Sequence, residues 1–135
     1  MQDSPANRYE GLYKILGKPM ADKLFHLQIF MVGVGALGCE LLKNFAMLGL
    51  GTGEEDLDNS KMKGLITITD PDSIELSNLS RQFLFREKHI GMPKSFTAAA
   101  AAQQMNASLK NHISLNYNSR RDAGQGVRRE QPHLH

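Results

Sequence analysis

Cysteine is almost missing from this sequence. Among 135 residues only Cys39 carries a thiol, so no internal disulfide can form and no Cys/His cluster of zinc-ligand spacing exists. That usage fits a reducing compartment, cytosolic or nuclear. Long apolar runs are missing too: the longest, residues 29–35, falls far short of the roughly 20 residues a membrane helix needs, and the polar N-terminus has no apolar signal core. The third absence is a strong charge of one sign. The formal net charge is +2, too small to imply a nucleic-acid partner, and the basic excess sits mainly at Arg120, Arg121, Arg128 and Arg129. What remains, 41% hydrophobic and 22% charged, suits one globular domain.

Along the chain, residues 1–17 are polar and irregular, and residues 19–27 form a short helix leading into the first strand. Residues 28–33 are apolar without alternation, the pattern of a strand buried on both faces in a parallel sheet. Residues 36–48 place Leu37, Leu41, Phe45 and Leu48 at helical spacing, with Gly49 and Gly51 as stop signals. Residues 52–64 are acidic and glycine-interrupted, a surface loop. A second strand is predicted at residues 65–69, then a polar segment at 70–93 and an alanine-rich helix at 94–105. A third strand follows at 112–118, with Ile113, Leu115 and Tyr117 on one face. Residues 120–135 lack apolar periodicity and are expected to be a disordered tail.

Gly33, Gly35 and Gly38 form a G-x-G-x-x-G pattern between a strand and a helix, the one context in which the pattern has physical meaning. The first glycine permits the tight turn, the second lets a phosphate approach the backbone, and the third lets the helix pack on the strand. The helix N-terminus then offers unpaired N–H groups to an anion. A glycine turn serving packing alone is the blander reading. Asp70 ends the second strand, where a carboxylate can accept bonds from ribose hydroxyls. Asp72 competes for that role, a capped turn would explain either, and Asp70 is preferred because it ends the strand directly.

Asn78, Arg81 and Gln82 lie close together in sequence, and Lys94 opens the next helix. A nicotinamide dinucleotide has no need of this group, whereas a triphosphate cleaved at its α-phosphate builds negative charge that arginine, lysine and amide donors stabilise. Each residue taken singly is more often a solvated side chain than a ligand.

Several segments then carry a resemblance: Arg8-Tyr-Glu-Gly11, the stretch from Gly33 to Ala46, Ile68-Thr-Asp-Pro-Asp72, and above all Ser77-Asn-Leu-Ser-Arg-Gln-Phe-Leu-Phe-Arg86. Together they resemble the active adenylation half of the ubiquitin-activating enzyme family, from about residue 8 to residue 118. The resemblance implies a Rossmann-like α/β fold of the ThiF type, present as its N-terminal portion in residues 1–118, with 119–135 outside it. It also implies ATP and Mg2+ as cofactors. Asp70 would hold the ribose, and Asn78, Arg81, Gln82 and Lys94 would contact the triphosphate, Arg81 and Lys94 as the catalytic pair.

By the same resemblance the activity is attack of the C-terminal carboxylate of ubiquitin or a ubiquitin-like protein on the α-phosphate, giving an acyl-adenylate and pyrophosphate. Ubiquitin or its relative is one partner, another adenylation-domain chain a second, and neither nucleic acid nor membrane is expected. The family's magnesium-binding aspartate and thioester cysteine lie beyond these residues, so the ATP site would be incomplete. Cys39 is a packing residue instead. Gly11 stands where homodimeric relatives carry a second arginine. With so few strands, one sheet edge and part of an apolar face would lie open. Two readings compete with adenylation: a non-catalytic nucleotide-binding or interaction fragment, and an NAD(P)-dependent oxidoreductase, which the group at Asn78, Arg81, Gln82 and Lys94 opposes.

Overall fold

A computed structural model describes residues 8–58 and 60–116. Its centre is a parallel sheet of three strands, β1 (Gln28–Val32), β2 (Leu65–Thr69) and β3 (Ile113–Leu115), in that spatial order. The register sets Ile29 opposite Ile66 and Ile113, and Met31 opposite Ile68 and Leu115. Because side chains alternate along a strand, these six share one face. On it lie α3 (Ala36–Leu48) and α4 (Lys94–Met105), which pack on each other. Cys39, Leu42, Ala46, Ala98, Ala99 and Ala102 are fully buried with the strand residues in a single core. The alanine run lets α3 and α4 come close. Each buried leucine or isoleucine contributes roughly 1.5–3 kcal/mol.

The opposite sheet face has no helix on it among the described residues, and Phe30 and Val32 are 56% and 77% exposed. The expectation that β1 is buried on both faces is therefore overturned. An unbroken apolar run tells that both faces suit burial, not that both are covered. The far edge of β1 is also unpaired among the described residues, as the small strand number implied. On α3 only Phe45 of the stripe read from spacing packs against the core. Leu37, Leu41 and Leu48 are exposed, and the buried face is Cys39, Leu42 and Ala46. A helix apolar nearly all round has no unique inward face until its partners are placed.

The segment expected to be irregular up to residue 17 holds a helix, α1 (Glu10–Leu16), and α2 (Lys18–Phe25) follows. No residue of α1 is buried. Glu10 in its first turn pairs with Lys14 at 3.0 Å, and these charges complement the helix dipole. The Tyr9 and Phe25 rings pack at a tilt of 48° with centroids 5.0 Å apart. The Tyr9 hydroxyl accepts from Asn106 Nδ2 (2.8 Å), which also donates to Ala46 O (2.9 Å), and Arg8 Nη2 donates to Met105 O (2.8 Å). Arg8 and Tyr9 thus tie together the C-terminal ends of α3 and α4. Since α3 has 13 residues, that end is roughly 20 Å from its N-terminus.

The acidic loop at 52–64 has no regular element among its described residues, and two histidines pin it. His112 Nδ1–H donates to Gly64 O (2.7 Å), and Nε2 lies 2.8 Å from Glu54 Oε1. His26 Nε2 lies 3.0 Å from the Glu54 carbonyl oxygen. The hydrogen bond from His112 holds the Glu54 carboxyl below its ordinary value near 4.5. A depressed carboxyl contributes stability above its unfolded value and loses it as pH falls through the folded one. Because the Glu54 side chain is 77% exposed, the effect is small. Thermal melts followed by circular dichroism should therefore show a slightly larger fall between pH 5 and pH 3 in the native chain than in Glu54→Gln.

The third strand is shorter than the predicted 112–118. Tyr117 and Asn118, the expected boundary at 118, and the tail at 120–135 lie outside the described residues. No helix among the described residues is long and apolar enough to cross a membrane.

Candidate functional site

The loop between β1 and α3 is built around its glycines. Gly33 has φ +89, a conformation that L side chains rarely adopt, and its N–H extends the sheet by donating to Thr69 O (2.8 Å). Gly35 caps α3 with no side-chain acceptor, so the first-turn N–H groups keep their capacity for an outside anion. A Cβ on Gly35 would meet nothing nearer than Gln82 Nε2 at 3.9 Å, whereas a Cβ on Gly38 would run into the Gly33 carbonyl. The two glycines thus do different work. Gly38 allows helix and strand to touch, and Gly35 leaves space above the backbone.

Asp70 stands at the end of β2, next to that loop. Its Oδ2 accepts from the Val34 N–H (2.8 Å) and its Oδ1 from the Asp72 N–H (2.8 Å). Asp72 is exposed, and its carbonyl accepts from the Lys94 N–H (3.0 Å) at the first residue of α4. Lys94 is only 7% exposed, and its ammonium makes no ion pair or hydrogen bond among the described residues. Cys39, in the first turn of α3, lies within electrostatic reach of both Lys94 and Asp70. Its Sγ–H donates to Val34 O (3.4 Å), and burial pushes the thiol above its ordinary value. A buried, protonated thiol is a packing group rather than a nucleophile.

Gln82 is 3% exposed, and its Oε1 has no hydrogen-bond partner. Asn78 is buried in the 3-10 turn Leu76–Ser80, where its Oδ1 accepts from the Glu75 N–H (2.8 Å). Half of its amide is therefore spent on holding the turn. Arg81 is exposed, and its guanidinium makes no hydrogen bond or ion pair among the described residues. The geometry brings Gly33, Gly35, Gly38, Asp70, Gln82 and Lys94 to one end of the sheet, at the C-terminal ends of β1 and β2. Asn78 and Arg81 stand on the adjoining turn.

Sequence reasoning missed the Val34 amide as the partner of Asp70. The register pairs Val32 with Thr69, so the residues that follow, Gly33 and Asp70, come side by side. Only strand pairing supplies that information. The N-terminal Arg8 lies at the other end of the helices, away from this site.

A lysine without an ion pair, a buried amide with an unmet oxygen, and a glycine turn at a helix start lie together beyond the carboxyl ends of parallel strands, the place where an open α/β sheet takes its ligands. Residues 8–120 match the ThiF family, and the chain belongs to that family. It is 54% identical over 110 residues to ubiquitin-like modifier-activating enzyme 6 of Homo sapiens, covering 82% of this chain and 10% of that protein. It is 51% identical over 104 residues to ubiquitin-like modifier-activating enzyme 1 of the same species, covering 77% and 9%. The chain therefore spans about a tenth of the length of these relatives.

Among solved structures, E. coli tRNA N6-threonylcarbamoyladenosine dehydratase, TcdA, in complex with ATP superimposes with a TM-score of 0.67 at 21% identity, over 84% of this chain and 41% of that one. E. coli MccB with MccA-N7isoASN follows at 0.60 and 24% identity, over 84% and 30%. These likenesses establish the ThiF-type fold, as the family resemblance implied.

Proposed function

We propose that this chain supplies the ATP-binding half of an adenylation site that activates the C-terminus of ubiquitin or a ubiquitin-like protein. The observation that carries the reading is Lys94, a residue only 7% exposed whose ammonium has no counter-ion among the described residues, at the end of the sheet that holds the glycine loop. A polyanion that enters the site supplies the partner this ammonium lacks, through charge-assisted hydrogen bonds. The phosphates would lie over Gly35 and the α3 N-terminus, with Gln82 Nε2 and Lys94 as donors, Arg81 swinging in from the surface and the free half of Asn78 beside it. Asp70 keeps unused lone pairs for ribose hydroxyls. As the substrate carboxylate attacks, charge on the α-phosphate is met by Arg81 and Lys94.

Magnesium is expected to arrive with the triphosphate. Among the described residues no cluster of three His, Cys, Asp or Glu side chains could hold a metal, and phosphate oxygens serve as its ligands in such sites. The relatives at above 50% identity are named for activating ubiquitin-like modifiers, which supports that substrate class over the others the fold serves. The open edge of β1 and the exposed Phe30 and Val32 favour a second reading, in which this segment acts by docking another polypeptide.

Calorimetric titration with Mg-ATP and, separately, NAD tests the proposal. ATP should bind and NAD should not, after which ATP–pyrophosphate exchange dependent on ubiquitin follows once the remainder of an adenylation domain is supplied. Binding of NAD alone would overturn the reading, and binding of neither would favour docking.

A further inference from the structure

Asp70 is more deeply engaged than a ribose ligand needs to be. Both carboxylate oxygens already accept backbone N–H groups, one from the glycine loop at Val34 and one from Asp72. Asp72 in turn accepts from the amide of Lys94 (3.0 Å). Two short steps therefore join the peptide between Gly33 and Val34 to Lys94. Val34 is fully buried, so its N–H can turn to no solvent, and loss of the acceptor would leave a buried donor unmet. The loop's other ties are the Gly33 N–H to Thr69 O, the Cys39 N–H to Gly35 O and the Cys39 thiol to Val34 O at 3.4 Å. A thiol is a weak donor.

We propose that Asp70 is a positioning residue for the phosphate half of the site: it fixes the Val34 peptide and, through Asp72, the start of α4, and so sets the glycine loop against Lys94 before any nucleotide arrives. The inference rests on the nucleotide reading and goes beyond it. An aspartate that only holds ribose is indifferent to a ligand without ribose, whereas one that braces the loop governs the binding of both. A carboxylate has about four lone-pair sites, and two stay available for ribose hydroxyls, so one side chain can do both.

The test uses this chain with two ligands, Mg-ATP and inorganic tripolyphosphate, and a ligand-free measurement, hydrogen exchange of the Val34 amide by NMR. Asp70→Ala should weaken tripolyphosphate by about tenfold, the worth of one charge-assisted hydrogen bond, weaken ATP at least as much, and release the Val34 amide to faster exchange. Asp70→Asn retains an acceptor for that amide, so it should keep Val34 protected and tripolyphosphate within about threefold of the native chain. It also serves if the alanine variant does not fold. Unchanged tripolyphosphate affinity in Asp70→Ala alongside a loss for ATP would overturn the proposal, as would equal Val34 exchange in all three proteins. If the native chain bound neither ligand, the nucleotide reading would fall, while Val34 exchange would still decide whether Asp70 braces the loop.

Discussion

Gly38→Ala should unfold this domain many degrees below the native chain, although it adds one methyl group. That methyl would collide with the Gly33 carbonyl oxygen, which is backbone in a turn already held at positive φ and cannot rotate aside. Overpacking against backbone costs on the order of 3 kcal/mol, a large share of the roughly 5–15 kcal/mol that holds a domain together. For a domain of this size that corresponds to a fall in Tm of more than about 10 °C. Gly35→Ala is the control. Its φ of −74 suits alanine, and the nearest atom to its Cβ is the end of a side chain at 3.9 Å. Its Tm should stay near that of the native chain while ATP affinity falls, because the methyl occupies the space left for phosphate. Similar melting curves for the two variants would show that the glycines are not divided in this way.

Lys94→Met should move binding and stability in opposite directions. Methionine keeps the apolar stem of a residue that is only 7% exposed and removes an ammonium that has no counter-ion among the described residues. Without ligand, that charge costs stability, so Tm should hold or rise. With ligand, the lost charge-assisted bond should weaken ATP by roughly 1.5–3 kcal/mol, about 10- to 100-fold. Arg81→Ala, at an exposed position, should leave Tm unchanged and weaken ATP as well. Parallel losses of binding and stability at Lys94 would make it a structural lysine, and the site assignment would then need another anion-binding group.

How far the sequence could be read depended on whether a feature was local. The strand, glycine turn and helix at residues 28–48 were legible because turn chemistry and periodicity act within a few residues, and the alanine helix at Lys94–Met105 for the same reason. Of the candidate site residues, Gly33, Gly35, Gly38, Asp70, Gln82 and Lys94 come to one end of the sheet. Their state was not legible. Nothing in the order of residues says that Lys94 is buried, that Gln82 has an unmet oxygen, or that half of Asn78 is spent on Glu75. The helix α1 was missed because it rests on a small contact of Leu12 and Tyr13 with Tyr9, Ala21 and Phe25, too few residues to produce a periodic apolar stripe.

By itself, the sequence determined the α/β class and the position of the glycine turn, since both follow from short motifs whose backbone demands are met locally, and it carried the resemblance that the ThiF match bears out. Only the tertiary structure decided which face of α3 is the core, that β1 keeps one face open, and that Asp70 is tied to Val34. Those depend on parallel register and on which surfaces meet. A chain apolar on several sides permits more than one burial, and packing selects among them.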